Sequence, residues 1–267
     1  MKTTVNGREI EVFKFPDGQP HVKIPSDLEI TDTYTIRCSI RNSDELLQIM
    51  ELNNILQHRR TLWSCINLEI AYLMGARMDR PIDQNQPFTL GVIAEILNCS
   101  ANFNKITLFN VHSEVAEKLL RAKNVLPKDQ INEIRALYPG IKVVSPDKGA
   151  FQWLDRIMSD VVECSKVREI QTGKLSGFKI HKPELVKGKD VLIADDLCDG
   201  GGTFVGLAKE LKAAGAQKII LYVSHGIFSK GLPLEGIDHI YTTNSYIDDF
   251  VSVECDKFVT VKNISWE

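Results

Sequence analysis

The stretch KDVLIADDLCDGGGTFVGLAKELKAAGA, residues 189–216, decides the fold class. The apolar run before Asp195 is typical of a buried strand, and apolar residues from Phe204 to Leu211 recur at helical spacing until Gly215. A run of three glycines therefore joins the carboxyl end of a strand to the N-terminus of a helix. At such a junction, unpaired N–H groups and the helix dipole favour an anion, and glycines let the backbone approach it closely.

The same turn carries three aspartates, although carboxylates do not bind phosphate directly. They accept hydrogen bonds from sugar hydroxyls and can reach metal ions. A ligand with vicinal hydroxyls and a phosphate would use both halves of the turn, whereas the alternative is an ordinary tight turn in which Asp199 caps the helix. The predicted binding loop comprises Asp195, Asp196, Asp199, Gly200, Gly201, Gly202 and Thr203.

Outward from this stretch, apolar segments rich in β-branched residues alternate with helical patterns along the chain. The alternation predicts an α/β protein with two similar lobes, each a mainly parallel sheet flanked by helices. We place the lobes at residues 1–138 and 139–267, with the final strand a candidate to return to the N-terminal lobe. The second lobe includes a predicted helix through FQWLDRIMSDVV, residues 151–162, and a polar segment, 163–188, expected to be an exposed hairpin or mobile loop.

Composition excludes several classes of protein. The 32 basic and 35 acidic residues give a net charge of −3, so nothing global favours nucleic acid or an anionic membrane. No signal sequence and no run of about 18 apolar residues is present, which predicts a cytoplasmic protein. The six cysteines form no CxxC pair, which favours reduced thiols over a disulfide framework or a zinc site.

Short motifs elsewhere extend the prediction from a loop to a family. In chain order, these motifs are FPDGQ at 15–19, YLMGARMDRP at 72–81, NVHS at 110–113, SPDKGA at 145–150, the glycine turn, SHGIFSKG at 224–231 and TTNS at 242–245. With this ordered set, the sequence resembles the ribose-phosphate diphosphokinase (phosphoribosyl diphosphate synthetase) family. The resemblance implies lobes like those of type I phosphoribosyltransferases. It also implies transfer of the β,γ-diphosphoryl group of ATP to the anomeric hydroxyl of a ribose phosphate, with release of AMP, for nucleotide biosynthesis.

The resemblance also assigns roles to single residues. Lys166 and Arg168 match the pair that closes over the transition state, and His112 and Asp147 match positions facing Mg²⁺ held by the ATP phosphates. The FPDGQ segment corresponds to the one that in the family grips the adenine of ATP bound mainly by a neighbouring subunit, which implies a homodimer or a higher homo-oligomer. The predicted ATP-binding residues are Phe15, Asp17, Gln19, Arg77, Asp79 and Arg80.

One departure from the family pattern bears on the substrate. Gly200 stands where the family has a threonine that helps to hold a terminal 5-phosphate. Its absence removes a hydrogen bond and makes room, which suits an acceptor whose 5-phosphate is esterified. ADP-ribose is such a molecule, and its pyrophosphorylation would serve NAD resynthesis. Ribose 5-phosphate and ADP-ribose both remain open as acceptors.

Two further functions compete with these. A phosphoribosyltransferase that consumes the diphosphate would have one lobe and a hood, and would not explain Arg77, Arg80 or His112. A non-catalytic protein associated with a synthetase should lose the basic residues of the mobile loop, whereas this chain keeps Lys166 and Arg168.

Overall fold

A computed structural model describes residues 1–100, 102–168, 175–247 and 258–266. The chain divides into two compact units, Met1–Val125 with the C-terminal Trp266, and Leu126–Ser265. Each unit has its own sheet flanked by helices, and most of the neighbouring strands are parallel, which confirms the predicted α/β class.

The N-terminal unit contains a six-stranded sheet in the order β2-β1-β5-β6-β7-β8. The strands from β5 to β8 are parallel, and β1 pairs antiparallel with both β2 and β5. A separate antiparallel hairpin is formed by β3 and β4. The elements are β1 (Thr4–Val5), β2 (Arg8–Glu9), β3 (Glu11–Lys14), β4 (Pro20–Lys23), β5 (Thr33–Ile40), α1 (Ser43–Arg59), β6 (Cys65–Leu73), α2 (Thr89–Ser100), β7 (Lys105–Phe109), α3 (Glu114–Leu120) and β8 (Lys123–Val125).

The C-terminal unit contains a seven-stranded sheet in the order β11-β10-β9-β12-β13-β14-β15. All neighbours are parallel except β10 and β11, which form a hairpin at one edge. The elements are α4 (Lys128–Leu137), β9 (Lys142–Ser145), α5 (Lys148–Asp155), β10 (Val161–Arg168), β11 (Leu175–Ile180), a 3₁₀ turn (Pro183–Leu185), β12 (Val191–Cys198), α6 (Gly202–Ala213), β13 (Ile219–Gly226), β14 (His239–Thr243) and β15 (Val259–Lys262).

Burial explains why β12 and α6 form where the sequence places them. Residues 191–194 of β12 are buried on both faces, as expected for a central parallel strand covered by helices. Helix α6 buries Phe204, Leu207, Ala208 and Leu211, which are the residues of the predicted periodicity. Helix α6 ends at Ala213, and Gly215, with φ +93°, follows the C-cap residue Ala214, so the predicted stop is also confirmed.

Several boundaries differ from the sequence prediction. The units divide after Val125 rather than after residue 138, because α4 packs Ile131 and Ile134 into the same core as β9 and β12. The predicted helix over residues 151–162 ends at Asp155, and its last two valines begin β10. The final strand, β15, pairs with β14 and stays in the C-terminal sheet.

Two general properties of the chain follow from the described residues. None of their helices combines the length and the apolar character that a membrane span requires. The five cysteines in the described ranges are all unpaired thiols, as the spacing predicted, and burial raises the pKa of Cys164 and Cys198 to about 12. These two thiols are therefore core residues rather than nucleophiles.

Candidate functional site

The glycine turn lies between β12 and α6, as predicted, but its cap is not Asp199. Gly201 occupies the N-cap position in a left-handed conformation, with φ +74° and ψ −6°, and no side chain caps the helix. A Cβ at Gly201 would overlap Cδ2 of the buried Leu234, whereas a Cβ at Gly202 would meet nothing within 4 Å. Conformation and packing therefore both require glycine at position 201.

The turn keeps its amide groups available for an anion. Among the described residues, the backbone N–H groups of Gly200, Gly202 and Thr203 donate to no backbone carbonyl. The first helical bonds come from Phe204 and Val205, whose N–H groups donate to the Gly201 carbonyl at 3.0 and 3.1 Å. Unpaired donors at the positive end of a helix dipole are the arrangement that binds phosphate.

A second segment, residues 227–234, packs against the turn, and we call it the covering segment. The N–H groups of Ile227 and Phe228 donate to the Cys198 carbonyl at 2.8 and 3.2 Å. The Ser229 hydroxyl donates to the Asp199 carboxylate at 2.6 Å, so Asp199 holds this segment in place. We find Asp199 in a structural contact, in addition to the ligand contact that the sequence predicts for it.

Charged groups converge beside the turn. The Lys166 ammonium on β10 donates to Asp147 Oδ2 at 2.7 Å, and Asp147 also caps α5 by accepting from the Ala150 N–H at 3.1 Å. Burial alone would raise the pKa of Asp147, but the hydrogen bonds from Lys166 and Ala150 outweigh burial and lower it. The predicted catalytic lysine and the predicted metal-facing aspartate are therefore direct partners.

The pKa of Asp195 is shifted in the opposite direction to that of Asp147. Loss of solvation raises the pKa of Asp195 well above its usual range, and the negative charges of Asp196 and Asp147 raise it further. The Asp196 N–H donates to Asp195 Oδ1 at 2.8 Å and opposes this effect only in part. An array of carboxylates with one raised pKa is typical of a functional site, because it is electrostatically costly until a ligand binds.

The electrostatic cost of an ionised Asp195 predicts how the stability of the fold depends on pH. Because folding raises the pKa of Asp195, its ionisation destabilises the fold as pH rises through that folded pKa. Asp195→Asn keeps the acceptor oxygen and removes the charge, so we expect a higher midpoint of urea unfolding than wild type at pH 8. The gain should shrink towards pH 4, where Asp195 in the wild type is increasingly protonated. A gain of equal size at both pH values would contradict the electrostatic explanation.

The motifs SHGIFSKG and TTNS form a buried polar network at the carboxyl ends of β13 and β14. The Ser245 hydroxyl donates to the Ser224 carbonyl at 2.8 Å and contacts His225 Nδ1 at 2.8 Å. The Thr243 hydroxyl donates to the same Ser224 carbonyl at 2.7 Å. These residues are buried, so we assign them a supporting role beneath the start of the covering segment.

In the N-terminal unit, two motifs far apart in sequence meet. The Ser113 hydroxyl, which caps α3, donates to Asp79 Oδ2 at 2.8 Å. This bond ties the loop that carries the exposed Arg77 and Arg80 to the turn that carries the exposed His112. Asp79 thus positions a loop. Arg77, Arg80 and His112, all predicted to face the nucleotide or its metal, lie on two segments that this bond joins.

The FPDGQ segment forms the turn of the β3–β4 hairpin. The Phe15 N–H donates to the Gln19 carbonyl at 2.9 Å, and the Asp17 carboxylate accepts from the Gln19 N–H at 3.1 Å. Phe15 is 43% exposed, and its ring lies 5.4 Å from that of Phe13 and 5.3 Å from that of His21. The turn therefore presents an aromatic cluster with polar groups at its tip.

The structure describes less of Arg168 and of the predicted metal site. Arg168 lies in β10 opposite Leu175, and its side chain is outside the described residues. Within the described ranges, no group of three or more histidine, cysteine or acidic side chains is close enough to hold a metal ion. Local sequence patterns give no role to Lys230 or Leu234, because their contacts with the glycine turn depend on how the loop after β13 folds back.

Comparison with known proteins agrees with this geometry. The family profile described as "Phosphoribosyl transferase domain" matches residues 122–256, about half of the chain. The crystal structure of phosphoribosylpyrophosphate synthetase from Mycobacterium smegmatis has the same fold, with a TM-score of 0.72 at 19% identity over 95% of this chain and 85% of that one. The fold and the turn thus define a protein of the phosphoribosyltransferase type.

Curated relatives narrow the class. Ribose-phosphate pyrophosphokinase of Pyrococcus furiosus is 26% identical over 248 residues, covering 88% of this chain and 85% of that protein. The enzyme of the same name from Helicobacter hepaticus is 29% identical over 263 residues, covering 91% and 79%. The chain belongs to the ribose-phosphate pyrophosphokinase family, within the proteins that carry the phosphoribosyltransferase domain.

Proposed function

We propose that the protein transfers the diphosphoryl group of ATP to the anomeric hydroxyl of a 5-phosphorylated ribose and releases AMP. The observation that carries this proposal is the junction of β12 and α6, where carboxylates at the strand end adjoin unpaired amides at the helix start. Carboxylates accept hydrogen bonds from ribose hydroxyls, and unpaired amides at a helix start donate to a 5-phosphate. The names of the family relatives add the diphosphate transfer.

In the proposed reaction, the anomeric oxygen attacks the β-phosphorus of ATP. A new O–P bond forms, the bond from the β-phosphorus to the oxygen bridging the α-phosphorus breaks, and AMP leaves with that electron pair. The hydroxyl proton is lost to solvent or to a nearby base. Positive charge must balance the negative charge on the oxygens of the transferred group. We propose this role for Lys166 and Arg168 on β10.

The nucleotide side of the proposal uses the N-terminal unit. Arg77 and Arg80 are exposed guanidinium groups suited to phosphate oxygens, and the aromatic cluster at Phe15 is suited to adenine. Asp17 and Gln19 shape and complete the tip of that hairpin. Because the family resemblance implies that this hairpin grips the adenine of ATP bound mainly by a neighbouring subunit, the proposal includes a homodimer as the smallest active unit.

Magnesium enters the proposal as an ion carried by ATP. The ionised Asp147 of the C-terminal unit suits this hard cation. The exposed His112 of the N-terminal unit is proposed to face magnesium carried by ATP, as the family resemblance implies. When bound, Mg²⁺ would neutralise charge on the phosphates.

The test of the proposed function is to incubate the protein with Mg²⁺-ATP and either ribose 5-phosphate or ADP-ribose. AMP should form together with an acceptor that has gained one diphosphoryl group by mass spectrometry. A reaction without acceptor controls for ATP hydrolysis. If neither acceptor gives AMP above that control, the proposal is wrong and a non-catalytic role takes its place.

Gly200 provides a specific reason to test ADP-ribose as a second candidate acceptor. The structure corrects one part of the size argument, because the room beside Gly200 is taken by the stem of Lys230. A Cβ at Gly200 would lie 3.1 Å from Lys230 Cδ and 3.2 Å from Cε, so a larger residue must displace a flexible chain. The missing hydroxyl donor therefore remains as the argument for an esterified phosphate.

We expect Gly200→Thr to shift the ratio of kcat/KM values towards ribose 5-phosphate over ADP-ribose by roughly tenfold. The added hydroxyl would donate to a terminal phosphate, and the added volume would move the Lys230 stem. Gly200→Ala is the matched control, since it adds volume without a donor. If threonine and alanine variants keep the wild-type preference, position 200 does not set the acceptor.

A further inference from the structure

Lys230 lies against the phosphate-binding turn at the position where the turn lacks a side chain. Its Cδ, Cε and Cγ atoms are 3.1, 3.2 and 3.4 Å from the place that a Cβ of Gly200 would occupy. Its methylene stem therefore fills the volume that a side chain at Gly200 would take. The two positions together act as one surface beside the turn.

Backbone contacts on either side hold Lys230 at this position. The Ser229 N–H donates to the Asp199 carbonyl at 3.1 Å, in addition to the bond from the Ser229 hydroxyl to the Asp199 carboxylate. The Gly231 N–H donates to the Phe228 carbonyl at 2.8 Å, and the buried Leu234 packs on Gly201. The start of the Lys230 side chain is thus fixed relative to the turn, although its end is exposed.

The ammonium group of Lys230 has no partner within the described ranges, in either a hydrogen bond or an ion pair. The residue before Gly200 is Asp199, and one of its carboxylate oxygens accepts the Ser229 hydroxyl. Lys166, by contrast, is engaged by Asp147. Lys230 is therefore a cation that the fold places beside an anion-binding turn without neutralising it.

We propose that Lys230 binds the outer phosphate of an acceptor whose 5-phosphate is part of a diphosphate ester, and selects such acceptors over ribose 5-phosphate. This inference rests on the proposed function, and it assigns a specificity role to a residue of the covering segment. Gly200 contributes by leaving the turn without a side-chain donor, while Lys230 contributes a positive charge on a long stem.

The chemistry of the two acceptors explains the selection. A terminal phosphate has three non-bridging oxygens, and all of its charge lies within reach of the turn. In a diphosphate ester, one of these oxygens becomes a bridge, which is a poor acceptor, and a second negative charge lies one phosphorus further out. A hydroxyl at position 200 would serve the first ligand, whereas a lysine ammonium reaches the second as a mobile point charge.

The test compares Lys230→Gln with Lys187→Gln. Lys187 is a matched control, since its stem packs on Gly215 at the other end of α6, with Cγ 3.3 Å from the position of an added Cβ. We expect Lys230→Gln to lower the kcat/KM for ADP-ribose relative to ribose 5-phosphate at least tenfold, as expected for loss of a charge-assisted hydrogen bond. Lys187→Gln should change this ratio less than twofold.

Equilibrium binding of ADP-ribose and ribose 5-phosphate by calorimetry separates this inference from the proposed reaction. We expect Lys230→Gln, but not Lys187→Gln, to bind ADP-ribose at least tenfold more weakly than wild type. This result would support the role of Lys230 even if no diphosphoryl transfer occurs. Equal losses for both ligands would mean a general effect on the turn and would overturn the selection. Undetectable binding of ADP-ribose by the wild type, or no loss in Lys230→Gln, would also overturn it.

Discussion

Lys166→Ala is expected to slow AMP formation by about two orders of magnitude or more, with a smaller effect on the KM for ATP. The Lys166 ammonium donates to the Asp147 carboxylate at 2.7 Å. Asp147 would face magnesium carried by ATP, and the Lys166 ammonium would then be available to the transferred diphosphoryl group. Charge on that group is greatest in the transition state, and kcat should therefore fall more than binding.

The control for this variant is Lys142→Ala. Lys142 is also paired with an aspartate, Asp160, at 2.7 Å in the same unit, but it lies at the start of β9, away from the carboxyl ends of the strands. Either partly exposed ion pair contributes only about 0–1 kcal/mol to stability, so both variants should stay folded. A kcat within threefold of wild type in Lys166→Ala would show that this lysine is not catalytic.

Arg168→Ala, in the same strand, belongs to the same prediction, and we expect a loss of similar size. The two variants together test whether β10 carries the catalytic cations. Wild-type turnover in both would refute the assignment taken from the family resemblance.

Gly201→Ala is expected to lower the free energy of unfolding by about 2–4 kcal/mol and to weaken phosphate binding at the same time. An alanine at φ +74° pays the cost of left-handed backbone, and its methyl group would overlap the buried Leu234. Relief of either strain moves the amides at the start of α6, which are the proposed donors to phosphate. Urea unfolding and calorimetric titration with ribose 5-phosphate measure the two effects.

Gly202→Ala is the control at the next residue. The added methyl group meets nothing within 4 Å, and position 202 begins the helix. Its unfolding free energy should stay within about 1 kcal/mol of wild type. Equal destabilisation by both alanines would mean that glycine is needed for general flexibility of the turn rather than for its geometry at Gly201.

Much of the fold and part of the site were predictable from the sequence, because the signals are local. The apolar run of β12, the periodicity of α6 and the glycines between them are properties of neighbouring residues. The boundary after Val125 was not predictable, since α4 has an amphipathic pattern that fits either unit. Only its packing with β9 and β12 assigns it to the C-terminal core.

The sequence by itself determined an α/β protein of the ribose-phosphate pyrophosphokinase family, with a glycine turn between a central strand and a helix that we propose binds an anion. Tertiary structure decided which groups surround that turn, because those contacts join residues distant along the chain. Lys166 is hydrogen-bonded to Asp147, and Ser113 is hydrogen-bonded to Asp79. The Lys230 stem fills the space beside Gly200. The charge that a ligand meets at the turn depends on these long-range contacts, which no local pattern in the sequence encodes.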